Sequence, residues 1–295
     1  MKDFKIQEMM NMLQCAIDSI TNSQEYQAHL KAMAKFPAYS YRNTLLIIQQ
    51  CPQATLVAGF STWKKDFKRY VKKGEKAIRI FAPYTYTQKA LNNDGTETEV
   101  VRKSFRSVSV FDISQTDGPP LPQPAEPVLL EGNLEQYENL LEGFQACTDY
   151  EICFVPLHEQ NGICRHGAKQ ILVQENLGQL QSVKTLCHEV AHSLLHDPYL
   201  IHKRGAEKII HSSELKEIEA ESTAYIVCTY LGMDCSAFSF PYIAGWKKTD
   251  DFLEESLERI SQVSAQIIET LECFLEKDRN SIRPASEDHI LKLAA

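Results

Sequence analysis

Apolar residues recur at intervals of three and four in several stretches of the chain, which predicts amphipathic helices. The stretches 1–35, 41–50, 134–144, 183–195 and 250–276 follow this spacing. Together they make up about a third of the sequence, so helices are expected in both halves of the chain.

Shorter stretches alternate apolar and polar residues, or are continuously apolar, and these predict β-strands. They are 55–59, 77–81, 107–111, 152–155 and 170–173. Pro83 is expected to end the second strand, since proline lacks the N–H that a sheet needs. Residues 92–95, Asn-Asn-Asp-Gly, predict a turn.

A proline-rich segment divides the pattern in two. Residues 118–127 contain five prolines in ten positions, which is typical of a semi-rigid linker rather than a helix or a central strand. The sequence therefore predicts one domain at 1–117, a second at 128–278, and a C-terminal tail at 279–295.

Charge is distributed unevenly between these parts. Residues 1–120 hold 17 Lys and Arg against 11 Asp and Glu, while the remainder holds 14 against 28, within a total net charge of −8. A basic front half joined to an acidic rear half suggests a module for polyanions attached to a module of another kind.

Cysteine usage and hydropathy indicate the compartment. Nine scattered cysteines without a Cys-x-x-Cys pair favour reduced thiols, hence a cytoplasmic location. No run of about 18 apolar residues occurs, so neither a transmembrane helix nor a membrane partner is predicted.

The strongest chemical signal lies in the stretch 183–195. It contains His188-Glu189-x-x-His192, in which both imidazoles sit one helical turn apart and can reach one metal ion. Glu189 follows the first histidine and is placed to act as general base. A chance match would leave the same histidines as ordinary polar residues, but their position beside a buried helical stripe favours Zn²⁺ binding.

A third ligand is expected on a second helix. Glu217, Glu221, Ala224 and Cys228 fall on one helical stripe, and its small residues would allow close approach to the histidine helix. Glu217 is the preferred ligand and Glu221 the group that orients a ligating histidine, with the reverse assignment open. An acidic helix start that merely complements the helix dipole is the simpler alternative.

Three protein ligands leave one zinc position open for water, which marks a catalytic site rather than a structural one. The expected chemistry is hydrolysis of a peptide bond, with Glu189 accepting a proton and returning it to the leaving amine. Spacing does not identify the residue that stabilises the oxyanion. The candidates are His196, His202, His211 and Tyr225.

A basic segment with interleaved aromatic residues lies at 60–81. Such a surface suits single-stranded nucleic acid, because phosphates pair with cations and bases stack on rings. A solvated charged face with its rings in the core is the alternative. The segment by itself does not distinguish DNA from RNA.

Both halves resemble one family. The front half carries Tyr-Arg-Asn at 41–43, Pro-Gln-Ala-Thr at 52–55, Val-Lys-Lys-Gly-Glu-Lys at 71–76 and Val-Phe-Asp at 110–112, and it resembles the N-terminal domain of the ArdC-like antirestriction family. The rear half, from 184 to 246, resembles the zincin-like metallopeptidase domain of that family.

The resemblance implies an α+β protein, with an α/β domain that binds single-stranded DNA followed by a mostly helical metallopeptidase domain with a small sheet. It implies zinc on His188, His192 and Glu217, catalysis by Glu189, and an antirestriction role on a bacterial mobile element. It also implies a DNA-binding surface formed by Trp63, Lys64, Lys65, Arg69, Lys72, Lys73 and Lys76. The protein substrate stays unknown. Two alternatives remain: a DNA-coating protein with a structural zinc site, and a protease that cleaves a repressor.

Overall fold

The computed structural model describes residues 2–18, 20, 23–91, 97–121, 134–203, 212–235 and 250–275. Helices and small sheets are mixed along the chain, which confirms the α+β class. The helices are α1 Lys2–Asp18, α2 Ser23–Lys35, α3 Tyr41–Gln50, α4 Phe60–Lys65, α5 Leu134–Cys147, α6 Gln179–Leu195, α7 Pro198–Lys203, α8 Ser213–Tyr230 and α9 Asp250–Leu275. The strands are β1 Val57–Gly59, β2 Tyr70–Val71, β3 Ile78–Leu91, β4 Glu97–Asp112, β5 Thr116–Asp117, β6 Glu151–Val155, β7 Gly162–Arg165 and β8 Gln170–Gln174.

The chain forms two compact units. Among the described residues, the first combines 2–18, 38–91 and 97–121, and the second combines 20, 23–37, 134–203, 212–235 and 250–275. Helix α2 therefore packs in the second unit, whereas the sequence-based boundary grouped it with residues 1–117. The Tyr26 hydroxyl shows the reason, because it lies 2.9 Å from Ser222 Oγ of α8 in a buried contact.

The first unit is organised around an antiparallel sheet of order β1-β4-β3. Strands β3 and β4 pair without interruption from Ile78 opposite Val110 to Leu91 opposite Glu97, which makes a long two-stranded arm. The prediction that Pro83 ends its strand is wrong. Proline is tolerated there because β3 is an edge strand, where a missing N–H breaks no ladder bond.

Helix α3 protects part of that free edge. The Asn43 side chain donates to Phe81 O at 2.9 Å and accepts from Phe81 N at 2.8 Å. Gln50 makes the same pair of bonds with Arg79, at 2.8 and 2.9 Å. The two amides thus occupy the positions that a further strand would take and satisfy an otherwise exposed sheet edge.

Trp63 belongs to the core of the first unit. Its side chain is fully buried, and its indole N–H donates to Phe111 O at 2.9 Å. The expectation that Trp63 contacts DNA is therefore wrong, since a ring with no exposed surface cannot stack on a base. The amphipathic pattern of α4 buries this ring and leaves the neighbouring lysines outside.

The second unit places a small sheet beside helices. Its strand order is β6-β8-β7, with β6 and β8 parallel and β7 antiparallel on the edge. Helix α6 packs against this sheet and against α8, and α9 packs against α5 and α8. The apolar stripe of α6, including Val183, Leu186 and Val190, is fully buried, as its spacing predicts.

All nine cysteines are free thiols. Cys187 of α6 and Cys228 of α8 meet in the interior, 3.8 Å apart at sulfur, where small side chains let the two helices approach. Among the helices described, none has the length and apolar content to cross a membrane.

Candidate metal centre

Helix α6 presents two histidines on the side that faces α8. The Nε2 atoms of His188 and His192 lie 3.1 Å apart, and their rings are 4.8 Å apart at the centroids. Both side chains are half-buried beside the fully buried stripe of the helix. The i, i+4 spacing thus brings two imidazole nitrogens to one point, as the sequence predicts.

Glu217 of α8 completes a triangle with these nitrogens. Its carboxylate oxygens lie 3.3 Å from His188 Nε2 and 3.5 Å from His192 Nε2. Ligands bound tetrahedrally to zinc at about 2.0–2.1 Å lie about 3.3–3.4 Å from one another. The distance between the two nitrogens and the distance from each nitrogen to its nearer carboxylate oxygen are close to this separation, so His188, His192 and Glu217 can hold a divalent metal ion.

Glu221 lies one turn further along α8 and contacts the other side of His188. Its Oε2 is 3.1 Å from His188 Nδ1, so it fixes the ring with Nε2 directed at the triangle. Although burial opposes it, the hydrogen bonds with Glu217 and Glu221 raise the pKa of His188 to about 9. Hydrogen bonds from His188 and His192 in turn lower the pKa of Glu217.

A buried chain of polar groups orients His192. His196 Nδ1 lies 3.0 Å from His192 Nδ1, and His196 Nε2 lies 3.0 Å from Glu219 Oε2. With Glu219 ionised, His196 donates through Nε2 and accepts through Nδ1, so His192 carries its proton on Nδ1 and leaves Nε2 free for metal. Arg259 of α9 pairs with the second oxygen of Glu219.

Charges and hydrogen bonds keep Glu219, the central carboxylate of this set of polar groups, ionised. Burial opposes ionisation of Glu219, but the hydrogen bond with His196 and the charge of Arg259 lower its pKa to about 2. The sequence did not predict this link. The available signal was the i+4 spacing of His196 from His192, whereas no spacing within one segment connects Glu219 to either histidine.

Glu189 lies beside the triangle with little exposed surface. Burial raises its pKa, which the charges of His188 and His192 counteract, and the Cys164 backbone N–H donates to it. Gly162 of β7 closes over this side chain: a Cβ there would lie 2.7 Å from Glu189 Oε1 and 2.6 Å from Thr185 Cγ2. A raised carboxyl pKa beside a metal site suits a group that accepts and returns a proton.

A second polar cluster flanks α6, and no sequence spacing pointed to it. The Tyr150 hydroxyl donates to Asp197 at 2.9 Å and lies 3.0 Å from His166 Nδ1. Because that hydroxyl has one proton, His166 is the donor in the second bond and holds its proton on Nδ1. Burial lowers the pKa of His166, which favours the neutral ring.

The other predicted site residues have different surroundings. His196 and Tyr225 are buried, His202 is exposed on α7, and His211 lies outside the described residues. His196 is committed to His192 and Glu219 and is not positioned to meet an oxyanion.

The predicted DNA residues of the basic segment fall into two groups. Arg69 is bound into the first unit by hydrogen bonds to Thr116, Gly118 and Pro119. The remaining side chains, all exposed, are Lys64, Lys65, Lys72, Lys73 and Lys76. Lys72 also donates to Ser114 O at 2.8 Å. The exposed members surround α4 and the turn at Gly74, where φ is +93°.

Residues 5–111 match the family model ArdcN, the N-terminal domain of anti-restriction factor ArdC. The chain is also 30% identical over 328 aligned positions to the uncharacterized protein pXO2-81 of Bacillus anthracis. That alignment covers 96% of this chain and 54% of the relative, so the chain spans about half the length of the relative.

Two crystal structures of the ArdC protein from plasmid R388 are similar to the chain. The metal-free one has a TM-score of 0.47 at 18% identity and covers 82% of this chain and 86% of that one. The Mn(II)-bound one has a TM-score of 0.44 at 16% identity, with 81% and 85% covered. A likeness of this degree assigns no role to individual residues here.

Proposed function

We propose that this chain is an antirestriction protein that binds single-stranded DNA and carries a zinc-dependent peptidase site, because residues 5–111 match the family model for the N-terminal domain of anti-restriction factor ArdC. The first unit would bind the DNA and the second would hold the peptidase site. Its place of action would be the cytoplasm of a bacterium that receives a mobile element, in keeping with its free thiols.

The observation that carries the peptidase proposal is the cluster of His188, His192 and Glu217. Its two imidazole Nε2 atoms lie 3.1 Å apart, and they lie 3.3 and 3.5 Å from the two carboxylate oxygens of Glu217. Two imidazoles and one carboxylate are a ligand set that suits zinc and leaves a fourth position open to solvent or substrate. When bound, zinc would supply Lewis acidity towards the substrate carbonyl.

The protein residues have separate roles in this proposal. Glu189 accepts a proton from the attacking water and delivers it to the leaving amine, for which its raised pKa is suited. Glu221 orients His188, and the pair of His196 and Glu219 orients His192. The choice of a protein as substrate class rests on the His188-Glu189-x-x-His192 pattern, which is typical of metallopeptidases.

The DNA-binding proposal is supported by the charge of the first unit. Its exposed lysines around α4 and Gly74 would contact phosphates, whose neutralisation supplies most nonspecific affinity for nucleic acid. Arg69 would act by supporting the turn near Thr116 rather than by direct contact.

The test compares wild type with Glu189→Gln and with the double variant His188→Ala, His192→Ala. We expect one equivalent of zinc in wild type and Glu189→Gln and none in the double variant. Binding of labelled oligo(dT) should be equal in all three. Cleavage is measured on casein and on the protein itself, with and without oligo(dT), and only wild type should be active.

Protection of transferred DNA in a restricting recipient distinguishes the alternatives. If Glu189→Gln protects as well as wild type, the protein is a DNA-coating factor whose metal site is structural. If protection is lost in Glu189→Gln while DNA affinity is weak and insensitive to salt, a regulatory protease is the better description. Absence of metal from wild type purified without chelator would contradict the peptidase proposal.

A further inference from the structure

The arm formed by β3 and β4 has two faces of different character. Residues directly opposite in the pair share a face, and side chains alternate between faces along each strand. Tyr84 and Tyr86 of β3 lie opposite Ser104 and Arg102 of β4, so they share one face with Arg102. We call the face that carries Tyr84, Tyr86, Arg102 and Arg106 the tyrosine face.

The tyrosine face begins as part of the core and continues outward. Near the base of the arm its residues Ile78, Ile80 and Ala82 are buried. Further along, Tyr84 and Tyr86 are 39% and 42% exposed, and Arg102 and Arg106 are exposed beside them. Two exposed rings side by side, continuous with the buried part of the same face, form an apolar surface that a ligand can cover.

The charged residues of the tyrosine face favour a polyanion as its ligand. In the paired stretch from Ile78 to Gln88 and from Val100 to Val110, both charged residues of the tyrosine face are arginines. The opposite face carries Arg79 and Lys103 in the same stretch and, further out, the acidic Glu99. A polyanion would therefore meet two cations and no acidic residue on this part of the tyrosine face, whereas Glu99 would repel it on the other.

The rings favour a single strand over a duplex. Tyr84 and Tyr86 lie 5.9 Å apart at the centroids with an angle of 33° between their planes. Rings spaced by alternate residues of a strand, with arginines on the neighbouring strand, provide stacking surfaces for unpaired bases and cations for the phosphates between them. We propose that the tyrosine face of the arm binds single-stranded DNA.

This inference rests on the proposed DNA-binding function and gives it a location. The lysines around α4 would add nonspecific attraction, whereas the arm would hold the bases. A duplex hides the faces of its bases, so it would use the lysines but not the rings.

Arg102 and Lys103 provide a matched test, because they are neighbours of equal charge on opposite faces. The measurement is anisotropy of labelled oligo(dT) over a range of salt concentrations. We expect Arg102→Gln to weaken binding and to lower the slope of log K against log salt by about 0.7, the value for one phosphate on a single strand. Lys103→Gln should leave the slope unchanged.

The rings are tested in the same assay. Tyr86→Ala should weaken oligo(dT) binding about fivefold or more, as expected for the loss of one stacked base. Phe105→Ala, on the opposite face and 57% exposed, is the control and should bind like wild type. Photocrosslinking of an oligonucleotide carrying 5-iododeoxyuridine should mark Tyr84 or Tyr86. Circular dichroism verifies that each variant is folded.

The outcomes separate this inference from the proposed function. Failure of wild type to bind oligo(dT) would contradict DNA binding as a whole. Tight binding by wild type, with Arg102→Gln and Tyr86→Ala equal to their controls, would overturn the location and leave the lysine surface. Tighter binding of an RNA oligonucleotide or a duplex than of oligo(dT) would overturn the assignment to single-stranded DNA.

Discussion

At the scale of single residues, Glu217 and Glu221 have distinct surroundings although they lie one turn apart on α8. Glu217 faces Nε2 of both histidines, and Glu221 faces Nδ1 of His188 alone. Glu217→Gln is therefore expected to lose most zinc affinity, because it removes a ligand. Glu221→Gln should lose only about 10–100-fold, the usual effect of a group that orients a ligand. Competition with a fluorescent chelator measures both, and a greater loss in Glu221→Gln would reverse the assignment.

Gly162 is a second position where the local packing has no room for a Cβ atom. An added Cβ would overlap Thr185 and Glu189, so Gly162→Ala must displace the strand or the proposed base. We expect the free energy of unfolding to fall by about 1–3 kcal/mol, as for other overpacked interiors.

Gly167 is the control for this substitution, since a Cβ there would meet no atom within 4 Å. Gly167→Ala should lie within about 0.5 kcal/mol of wild type in the same urea titration. Equal stabilities of the two variants would show that β7 can move away from α6 at no cost.

The residue scale also shows what the sequence could reveal about the site. The triangle of ligands followed from two helical spacings, 188–192 and 217–221, because a helix fixes which residues share a side. His166, Tyr150 and Asp197 come from different elements that meet only through the tertiary fold. The residue spacing within one segment cannot predict a contact between segments. For the same reason, the sequence did not predict the link from Glu219 through His196 to His192.

At the scale of elements, α3 stabilises the arm through two side-chain amides. Gln50 exchanges two hydrogen bonds with the backbone of Arg79, and its neighbour Gln49 is exposed on the same helix. Gln50→Ala should lower the free energy of unfolding by about 1–3 kcal/mol, since it leaves a backbone donor and acceptor unpaired. Gln49→Ala, the same change one residue away, should be within about 0.5 kcal/mol of wild type.

Helices α6, α8 and α9 are joined by the polar chain through Glu219. Because the folded pKa of Glu219 is about 2, below its ordinary value of 4.5, ionised Glu219 stabilises the fold above about pH 4.5. That contribution is lost as the pH falls from about 4.5 to about 2.

The difference in unfolding free energy between wild type and Glu219→Gln should therefore be constant near neutral pH and shrink over that range. Urea titrations of metal-free protein at several pH values measure it. Glu214→Gln, at the exposed start of the same helix, should follow wild type throughout. A difference that does not change with pH would mean that the pKa of Glu219 is the same in the folded and the unfolded protein.

The bounds of helices and strands were predictable where apolar residues recurred with a single helical or strand spacing. The helix at Tyr41–Gln50 and the strand at 152–155 follow directly from their patterns. The length of the arm was underestimated because Pro83 was expected to end its strand. Proline is acceptable there only because β3 lies at the edge of the sheet. The predicted turn at 92–95 and most of the linker at 118–127 lie outside the described residues. Trp63 was misassigned because aromatic rings among lysines have the same sequence pattern whether they face solvent or the core.

At the scale of the whole molecule, the division into two units predicts how metal affects stability. His188, His192 and Glu217 all belong to the second unit and join α6 to α8. A ligand that binds only the folded state at 100 times its dissociation constant adds about 2.7 kcal/mol of stability. For a unit of this size, that corresponds to a rise of about 5–10 °C in the midpoint of thermal unfolding.

Calorimetry of the full chain with zinc and after removal of zinc by a chelator should then show one transition that shifts and one that does not. The shifting transition belongs to the second unit because the other unit contributes none of the three ligands. The double variant His188→Ala, His192→Ala should show no shift on addition of zinc, which controls for adventitious binding by thiols. Oligo(dT) should raise the transition that zinc leaves unchanged, since the tyrosine face and the lysines lie in the first unit. If zinc and oligo(dT) both move a single common transition, the two units unfold as one cooperative structure, and DNA binding is then energetically linked to the metal centre.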